Sequence, residues 1–379
     1  MCWTFILATR ARILELLFVG LDKVYHVHKN IGKLSFVAIC LHPIFQFMRF
    51  IPNWSKAFGL FVPGLFDGIF FGLASLLMFV LLIACTLWIQ LPYHIWKYTH
   101  NLFIIVLLCT FLHVYLIDAQ VNASFWLSVW MYGFMALAAF SYFYILVLYY
   151  YVGPRFDYQV TEIKKTRKTW NVILHPQENS LTYKPGQFIY ITFNNQVLGA
   201  EVHPFSLSSH PEQNFLRLSI KNLGDYTAQM DNLKEGNTAI IWGPYGHFYE
   251  KFLFENTDAV FIAGGIGITP FLSMLGHEAH HPTQRKSYIF YCVKEMARAD
   301  FDDELASFSR INTNITYNSH CSERQGFLTL DEIKNIIGSF EKKNFFLCGP
   351  PPMMDAFIKQ LKQEGVKNNA IVCENFNFL

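Results

Sequence analysis

The sequence predicts a multidomain membrane protein with an all-α transmembrane bundle, an antiparallel β-barrel and an α/β doubly wound domain. Long apolar runs are confined to the first 151 of the 379 residues. Short runs of alternating hydrophobicity follow Tyr151, and strands alternate with helices from Ala259 onward. We therefore expect three domains, over 1–152, 153–254 and 255–379.

The first domain carries the membrane segments. Apolar runs cover roughly 1–20, 32–51, 60–91, 101–117 and 123–152. All but the first supply the ~20 residues that a hydrocarbon core of about 30 Å requires. We expect five helices, the first of them short, in an integral protein of the cell membrane. The charged segment that follows the first run does not read as a secretory signal.

The distribution of positive charge predicts the orientation in the bilayer. The formal net charge is +2, and no basic stripe indicates nucleic-acid binding. Lysines and arginines gather between the first two helices, at Lys97 and after the last helix, whereas the other loops hold Arg49 and Lys56 alone. The positive-inside rule therefore places the C-terminal half in the cytoplasm. The eight cysteines form no CxxC and no close pair, so we expect no disulfides and no zinc.

Four histidines stand in two pairs within the apolar segments. His28 and His42 are 14 residues apart, which on a helix is about 21 Å and nearly four whole turns. His100 and His113 span about 20 Å, but on an ideal helix their faces would differ by roughly 140°, so either a bulge or kink realigns the two rings or the groups that they bind lean to different sides.

The predicted topology makes the two histidine-bearing helices parallel, which matches His28 with His100 and His42 with His113 in depth. A single histidine here would more often be a satisfied polar residue of a helix bundle. Four at matched depths favour function, because ionisable groups within a span are costly. We expect them to be the axial ligands of two b-type haems.

Several motifs of the second half indicate nucleotide binding. The barrel region contains HPFSLSS (203–209) and GDYT (224–227), where a helix N-terminus would cradle a phosphate. GGIG (264–267) lies at the first strand-to-helix turn of the doubly wound domain, where glycines admit a pyrophosphate or simply form a tight turn. CGPPPM (348–353) follows the last predicted strand and places a cysteine at the ligand crevice.

These motifs, with YTHNLF around His100 and the ending ENFNFL, resemble the ferric reductase and NADPH oxidase family of membrane flavocytochromes. Its cytoplasmic half is similar to ferredoxin–NADP reductases, which implies a β-barrel FAD domain and a doubly wound NAD(P) domain. Relatives generally have six membrane helices, so a truncated start, an alternative start or a five-helix variant would each fit this chain.

The resemblance also implies residue roles. Ser206 would lie near flavin N5, Cys348 and Glu374 would flank the nicotinamide, and Phe376, with Phe378 as a second candidate, would cover the flavin. The further cofactor-binding residues that it implies are His203, Pro204, Phe205, Ser208, Lys221, Gly224, Thr227, Gly264, Gly265, Gly267, Thr269, Lys294, Gly349 and Pro350.

The implied activity is electron transfer from cytoplasmic NAD(P)H through FAD and two haems to an extracytoplasmic acceptor, either oxygen, giving superoxide, or a ferric chelate. Lys294, Arg298 or Arg324 favour NADPH, whereas Glu295 and Asp300 favour NADH; we lean to NADPH. The alternative function is a membrane-anchored NAD(P)H:flavin reductase that donates electrons to a protein partner, whose identity the sequence leaves open.

Overall fold

The computed structural model describes every residue except 52, 65, 66, 90, 118, 168, 200, 296–298 and 375–379. It divides into two compact units, Met1–Gly153 and Pro154–Leu379. The further boundary predicted at 254/255 stays a prediction.

The first unit is helical. Among the described residues, four helices are long and apolar enough to cross a membrane: Leu21–Arg49, Gly68–Leu87, Ile95–Ile117 and Phe125–Val152. The helices are α1 (Cys2–Leu7), α2 (Arg12–Phe18), α3 (Leu21–Arg49), α4 (Trp54–Gly59), α5 (Gly68–Leu87), α6 (Tyr93–Asn101), α7 (Phe103–Ile117), α8 (Ala119–Ala123), α9 (Phe125–Phe143) and α10 (Tyr149–Val152), with a π-helical turn at Tyr144–Leu148.

The start of this unit differs from the sequence expectation. The run 1–20 forms two short helices, α1 and α2, and α3 begins at Leu21 rather than near residue 32. Lys23, Lys29 and Lys33 therefore lie within α3 and not in a loop. His28 and His42 lie on the same helix, as their spacing requires.

The membrane helices pack through small polar and aromatic contacts and leave apolar side chains on the outside. Ser75 of α5 and Thr110 of α7 are hydrogen-bonded at 2.8 Å between their hydroxyl oxygens. Leu34, Val37 and Phe45 of α3 are exposed. Exposed apolar surface of this extent fits contact with lipid.

The second unit begins with a curled antiparallel sheet. In the part of the chain that the structure describes, its six strands are β1 (Arg155–Thr166), β2 (Thr169–Pro176), β3 (Phe188–Phe193), β4 (His203–Ser206), β5 (Leu216–Lys221) and β6 (Thr238–Tyr245), in the order β4-β3-β6-β1-β2-β5. An isolated bridge between Leu207 and Leu218 brings the two ends of this order together. Helices α11 (Asp225–Ala228) and α12 (Tyr249–Phe254) accompany the sheet.

A parallel sheet follows, as predicted. Its described strands are β7 (Asp258–Gly264), β8 (Ser287–Val293), β9 (Ile315–Cys321), β10 (Lys343–Cys348) and β11 (Ile371–Glu374), in the order β11-β10-β7-β8-β9. The connecting helices are α13 (Thr269–His280), α14 (Asp302–Ile311), α15 (Ser322–Gln325), α16 (Leu330–Ile337) and α17 (Pro351–Gln363). Because the chain runs outward from β7 in both directions, the switch in strand order lies between β7 and β10, where such sheets bind ligands.

Candidate functional site

The structure brings the four membrane histidines together as two pairs. The ring centroids of His28 and His100 are 6.1 Å apart, and those of His42 and His113 are 6.4 Å apart. Two imidazoles bound on opposite sides of one metal ion, through bonds of about 2 Å, place their ring centroids roughly 6 Å apart. The spacing within each pair therefore fits a haem iron held between two histidines.

The hydrogen bonds of two of these rings set their tautomers. Nδ1 of His28 lies 2.9 Å from the carbonyl oxygen of Thr4, and Nδ1 of His113 lies 2.7 Å from that of Gly68. A carbonyl only accepts, so each Nδ1 carries the proton and each Nε2 keeps its lone pair. Metal-ligating histidines usually donate their second ring N–H in this way.

His100 differs from these two histidines. Its Nδ1 is buried, and no group among the described residues hydrogen-bonds to it. Its ring stacks on Trp96 at 5.0 Å between centroids. No hydrogen bond among the described residues therefore sets the tautomer of His100.

The chain departs from a regular helix between His100 and His113. The Leu102 amide donates to the Thr99 carbonyl, and the Leu102 carbonyl accepts from Ile105, so both hydrogen bonds span three residues. Such a turn is tighter than an α-helix and rotates the chain further per residue. The extra rotation reduces the 140° offset calculated for an ideal helix.

Gly72 makes room for the His113 ring. A β-carbon added at Gly72 of α5 would stand 2.6 Å from Nδ1 of His113. Any larger residue at this position must displace the imidazole.

In the second unit, HPFSLSS forms β4 and the segment after it. Pro204 and Phe205 pair with Tyr190 and Ile189, and Ser206 pairs with Phe188. Ser206 is largely buried. His203 stacks on Tyr226 at 3.8 Å between centroids, and its Nε2 lies 2.9 Å from Oε2 of Glu201.

The Tyr226 hydroxyl, which lies beside His203, bears on whether this region can hold a cofactor. It is buried, and no described residue hydrogen-bonds to it. Burial raises the pKa of Tyr226, so the hydroxyl keeps its proton. A buried donor beside His203 that no described residue accepts from fits a site completed by a bound polar group.

Arg217 holds HPFSLSS against the parallel-sheet region, a role that sequence reasoning missed. Its guanidinium donates to the Ser208 hydroxyl at 3.1 Å and to the Ser208 carbonyl at 2.8 Å. It also binds Glu304 of α14 in a bidentate pair, at 3.0 and 2.7 Å. The available signal was an arginine within the apolar alternation of β5.

Close backbone approach explains the glycines at the carboxyl edge of β7 and β10. A β-carbon at Gly264 would stand 2.6 Å from Cδ of Pro350, and one at Gly267 would stand 2.8 Å from Cα of Gly349. The GGIG turn and the CGPPPM turn therefore interlock at the switch point. Thr269 begins α13 there, with its hydroxyl bonded to the Ile266 carbonyl.

Cys348 and Glu374 meet at the same edge. They are register partners on β10 and β11, and both are buried. Burial raises the pKa of the Cys348 thiol well above its usual range, with Glu374 and Cys373 adding to the effect, so the thiol is protonated at neutral pH. Oε1 of Glu374 lies 3.2 Å from the position of a β-carbon at Gly246, within GPYG.

The remaining predicted residues are partly brought together. Lys221 ends β5, and its Nζ lies 3.5 Å from the position of a β-carbon at Gly265. The Thr227 hydroxyl instead accepts hydrogen bonds from the amides of Leu223 and Gly224, so these two amides are already satisfied at the predicted phosphate cradle. Lys294 is exposed and faces Glu323 at 3.8 Å. Phe376, Phe378 and Arg298 lie outside the described residues.

Comparison with protein families agrees with this arrangement. Residues 1–111 match "Ferric reductase like transmembrane component", residues 159–251 match "FAD-binding domain" and residues 261–359 match "Oxidoreductase NAD-binding domain". The first match ends two residues before His113. The chain is therefore an NAD(P)H-dependent membrane flavin oxidoreductase with FAD-binding and NAD(P)H-binding domains. It has the ferric reductase and NADPH oxidase-like architecture.

Curated relatives match the second half of the chain. A sulfhydrogenase 2 subunit gamma of Pyrococcus furiosus is 26% identical over 51% of this chain and 72% of its own length. Flavohemoprotein A of Dictyostelium discoideum is 29% identical over 52% of this chain and 53% of its own length. The match thus spans only about half of the flavohemoprotein.

Solved structures share the fold. A flavohemoglobin from Malassezia yamatoensis aligns with a TM-score of 0.56 at 19% identity, over 81% of this chain and 85% of that one. A ferredoxin NADP+ reductase from Neisseria gonorrhoeae aligns with a TM-score of 0.51 at 20% identity, over 59% of this chain and 98% of that one.

Proposed function

We propose that this chain passes electrons from cytoplasmic NAD(P)H through FAD and two b-type haems to an extracytoplasmic acceptor, either oxygen, giving superoxide, or ferric iron. The observation that carries the proposal is the pairing of His28 with His100 and of His42 with His113 at centroid distances of 6.1 and 6.4 Å. A helical region serving only as an anchor has no need of two such pairs, because ionisable residues within a span are costly.

The residues of the switch point would receive the nucleotide. The interlocked glycine turns lie at the switch point, where sheets of this type bind a pyrophosphate, and Lys221 beside Gly265 would supply positive charge. Cys348 and Glu374 would flank the nicotinamide, the first as a neutral thiol. Ser206 would present its hydroxyl to the flavin from β4.

The two cofactor types explain why both units are needed. FAD exchanges electron pairs with a nicotinamide and single electrons with haem iron, so it joins a two-electron donor to a one-electron chain. In the membrane, His28 and His113 would offer Nε2 to iron because backbone carbonyls hold their Nδ1 protons. Two histidines per iron leave no open coordination position, so an acceptor would be reduced without binding to the metal.

A matched pair of substitutions on α3 tests the histidine assignment. His28→Leu removes a proposed ligand, whereas His26→Leu changes an exposed histidine two residues away. We expect H28L to lose about one of two haems per flavin and H26L to keep both, as measured by the absorbance of the purified full chain. FAD content, which depends on the other unit, should be unchanged in both variants.

The same measurement separates the alternative function. A wild-type chain that is produced with ample haem, carries FAD and binds no haem would be a membrane-anchored NAD(P)H:flavin reductase. Equal haem content in H28L and wild type would contradict the ligand assignment alone.

A further inference from the structure

Three imidazoles converge on one carboxylate just after the HPFSLSS segment. Oε1 of Glu212 lies 2.6 Å from Nδ1 of His277 and 3.0 Å from Nε2 of His281. Oε2 of the same carboxylate lies 2.9 Å from Nδ1 of His210. Glu212 follows β4, whereas His277 and His281 lie at the C-terminal end of α13, so the cluster joins the antiparallel sheet to the parallel one.

We propose that Glu212, His277 and His281 form a site for a divalent transition-metal ion of the zinc type. The three ligand atoms lie within 4.8 Å of one another. Ligands bound tetrahedrally at about 2.0–2.2 Å stand roughly 3.4 Å apart, so a metal in place of the shared protons requires the separations between ligand atoms to change by no more than about 1.4 Å.

The donor set defines the class of metal. Two imidazoles and one carboxylate suit zinc and neighbouring transition metals, whereas Ca²⁺ and Mg²⁺ prefer oxygen ligands throughout. The His281 side chain is 59% exposed, so the site is open to solvent. Three protein ligands leave a fourth position for water.

Neighbouring side chains hold the Glu212 carboxylate in a fixed orientation, as hydrogen-bond partners of metal ligands commonly do. His210 is buried, holds Oε2 and stacks on His280 at 4.5 Å between centroids. Gly276 permits this packing, since a β-carbon there would stand 2.8 Å from Cδ2 of His210. Glycine is unfavourable inside a helix, and here the space that it leaves admits the His210 ring.

Both carboxylate oxygens of Glu212 face imidazoles: Oε1 faces His277 and His281, and Oε2 faces His210. The expectation of no zinc rested on cysteine spacing, and histidines that meet a glutamate only in the fold lie outside that argument.

Zinc binding to the full chain, purified in detergent and stripped with a chelator, tests the proposal. His277→Ala and His281→Ala should each weaken Zn²⁺ binding by more than about tenfold in competition with a chromophoric zinc indicator. The control is His175→Ala, which removes an exposed histidine of β2 outside the cluster and should bind Zn²⁺ as the wild type does.

FAD and haem content, measured on the same samples, report whether each variant is folded. Because His281 is largely exposed, H281A should keep both cofactors. Unchanged Zn²⁺ affinity in folded H281A and H277A would overturn the proposal, as would a wild-type chain that binds Zn²⁺ no more tightly than a variant carrying both substitutions. In either case the histidine–glutamate cluster would be a hydrogen-bonded contact between the two sheets.

Discussion

At the scale of single residues, the proposed outer haem site depends on how His113 is held. Its Nδ1 is bonded to the Gly68 carbonyl, and its ring lies where a side chain at Gly72 would otherwise be. Both constraints come from α5, the helix that faces α7 through Ser75 and Thr110. The imidazole is therefore oriented by the Gly68 carbonyl and by the space that Gly72 leaves. No sequence pattern reveals either contact.

Gly72→Ala should disturb this histidine and Gly133→Ala should not. A β-carbon at Gly72 meets the His113 ring at 2.6 Å, whereas a β-carbon at Gly133 of α9 meets nothing within 4 Å. Alanine is favoured over glycine within a helix by about 1 kcal/mol, so helix propensity alone would not destabilise either variant. Haem absorbance of the purified proteins checks this: G72A should show a lowered or shifted haem signal. Matching spectra in G72A and G133A would contradict the role given to Gly72.

At the scale of elements, α13 and β8 are tied by a buried charged cluster. Glu278 binds the Arg285 guanidinium at 2.7 Å and accepts from the Ser287 hydroxyl at 2.6 Å. Arg285 in turn donates to the Phe252 carbonyl of α12 and lies over the Phe252 ring. Two helices and a strand are thereby fixed at the end of the sheet opposite the candidate nucleotide site.

Glu278→Ala should destabilise the second unit strongly, because it leaves the Arg285 charge buried without its partner. The expected loss is about 3–5 kcal/mol of unfolding free energy. Lys334→Ala is the control: the Lys334–Glu364 pair, at 3.8 Å, is half exposed, and such pairs contribute about 1 kcal/mol or less. The thermal midpoint of FAD release from the full chain measures both variants. A midpoint for E278A as high as that for K334A would show that the cluster contributes little.

Elements with a clear periodicity were predictable and irregular ones were not. The strands β7, β8 and β10 are continuous apolar runs, whereas β1 has no regular alternation and its second half is charged, so its sequence gives no clear strand signal. The four-residue edge strand β11, which pairs with β10, is too short to give such a signal. The start of α3 was misplaced because the helix begins before the apolar run, in a segment whose three lysines suggested a loop.

The contacts of the candidate sites were likewise predictable where they depend on helix periodicity and not where they join distant segments. The helical period alone was enough to place His28 and His42 on one face of the same helix. Contacts between distant segments had no such signal: Glu212 is 65 residues from His277, and Arg217 is 87 residues from Glu304. These pairs meet only because the two sheets pack together.

At the scale of the whole molecule, the proposed function requires that electrons cross the membrane in one direction. The concentration of lysine and arginine around the first helices and after the last one favours a cytoplasmic second unit. The nucleotide site would then lie on one side of the membrane and the acceptor on the other. Direction is thus a property of the assembled chain and is tested only in a sealed membrane.

His113→Leu should stop electron transfer across the membrane while leaving the reaction with the nucleotide intact. Inside-out vesicles, loaded with an impermeant ferric chelate or a superoxide indicator, expose the proposed nucleotide site to the outside. Added NADPH should reduce the loaded acceptor in vesicles with the wild-type chain, and NADH should do so more slowly if Lys294 meets a 2′-phosphate. In H113L vesicles the acceptor signal should vanish, because the proposed outer site has lost a ligand, whereas flavin bleaching by NADPH should continue at the wild-type rate.

Vesicles with His26→Leu are the control, because this variant also replaces a membrane-domain histidine by leucine but lies outside the two pairs. Full acceptor reduction in H113L vesicles would contradict the outer ligand assignment, and a response to external NADPH only in right-side-out vesicles would reverse the orientation.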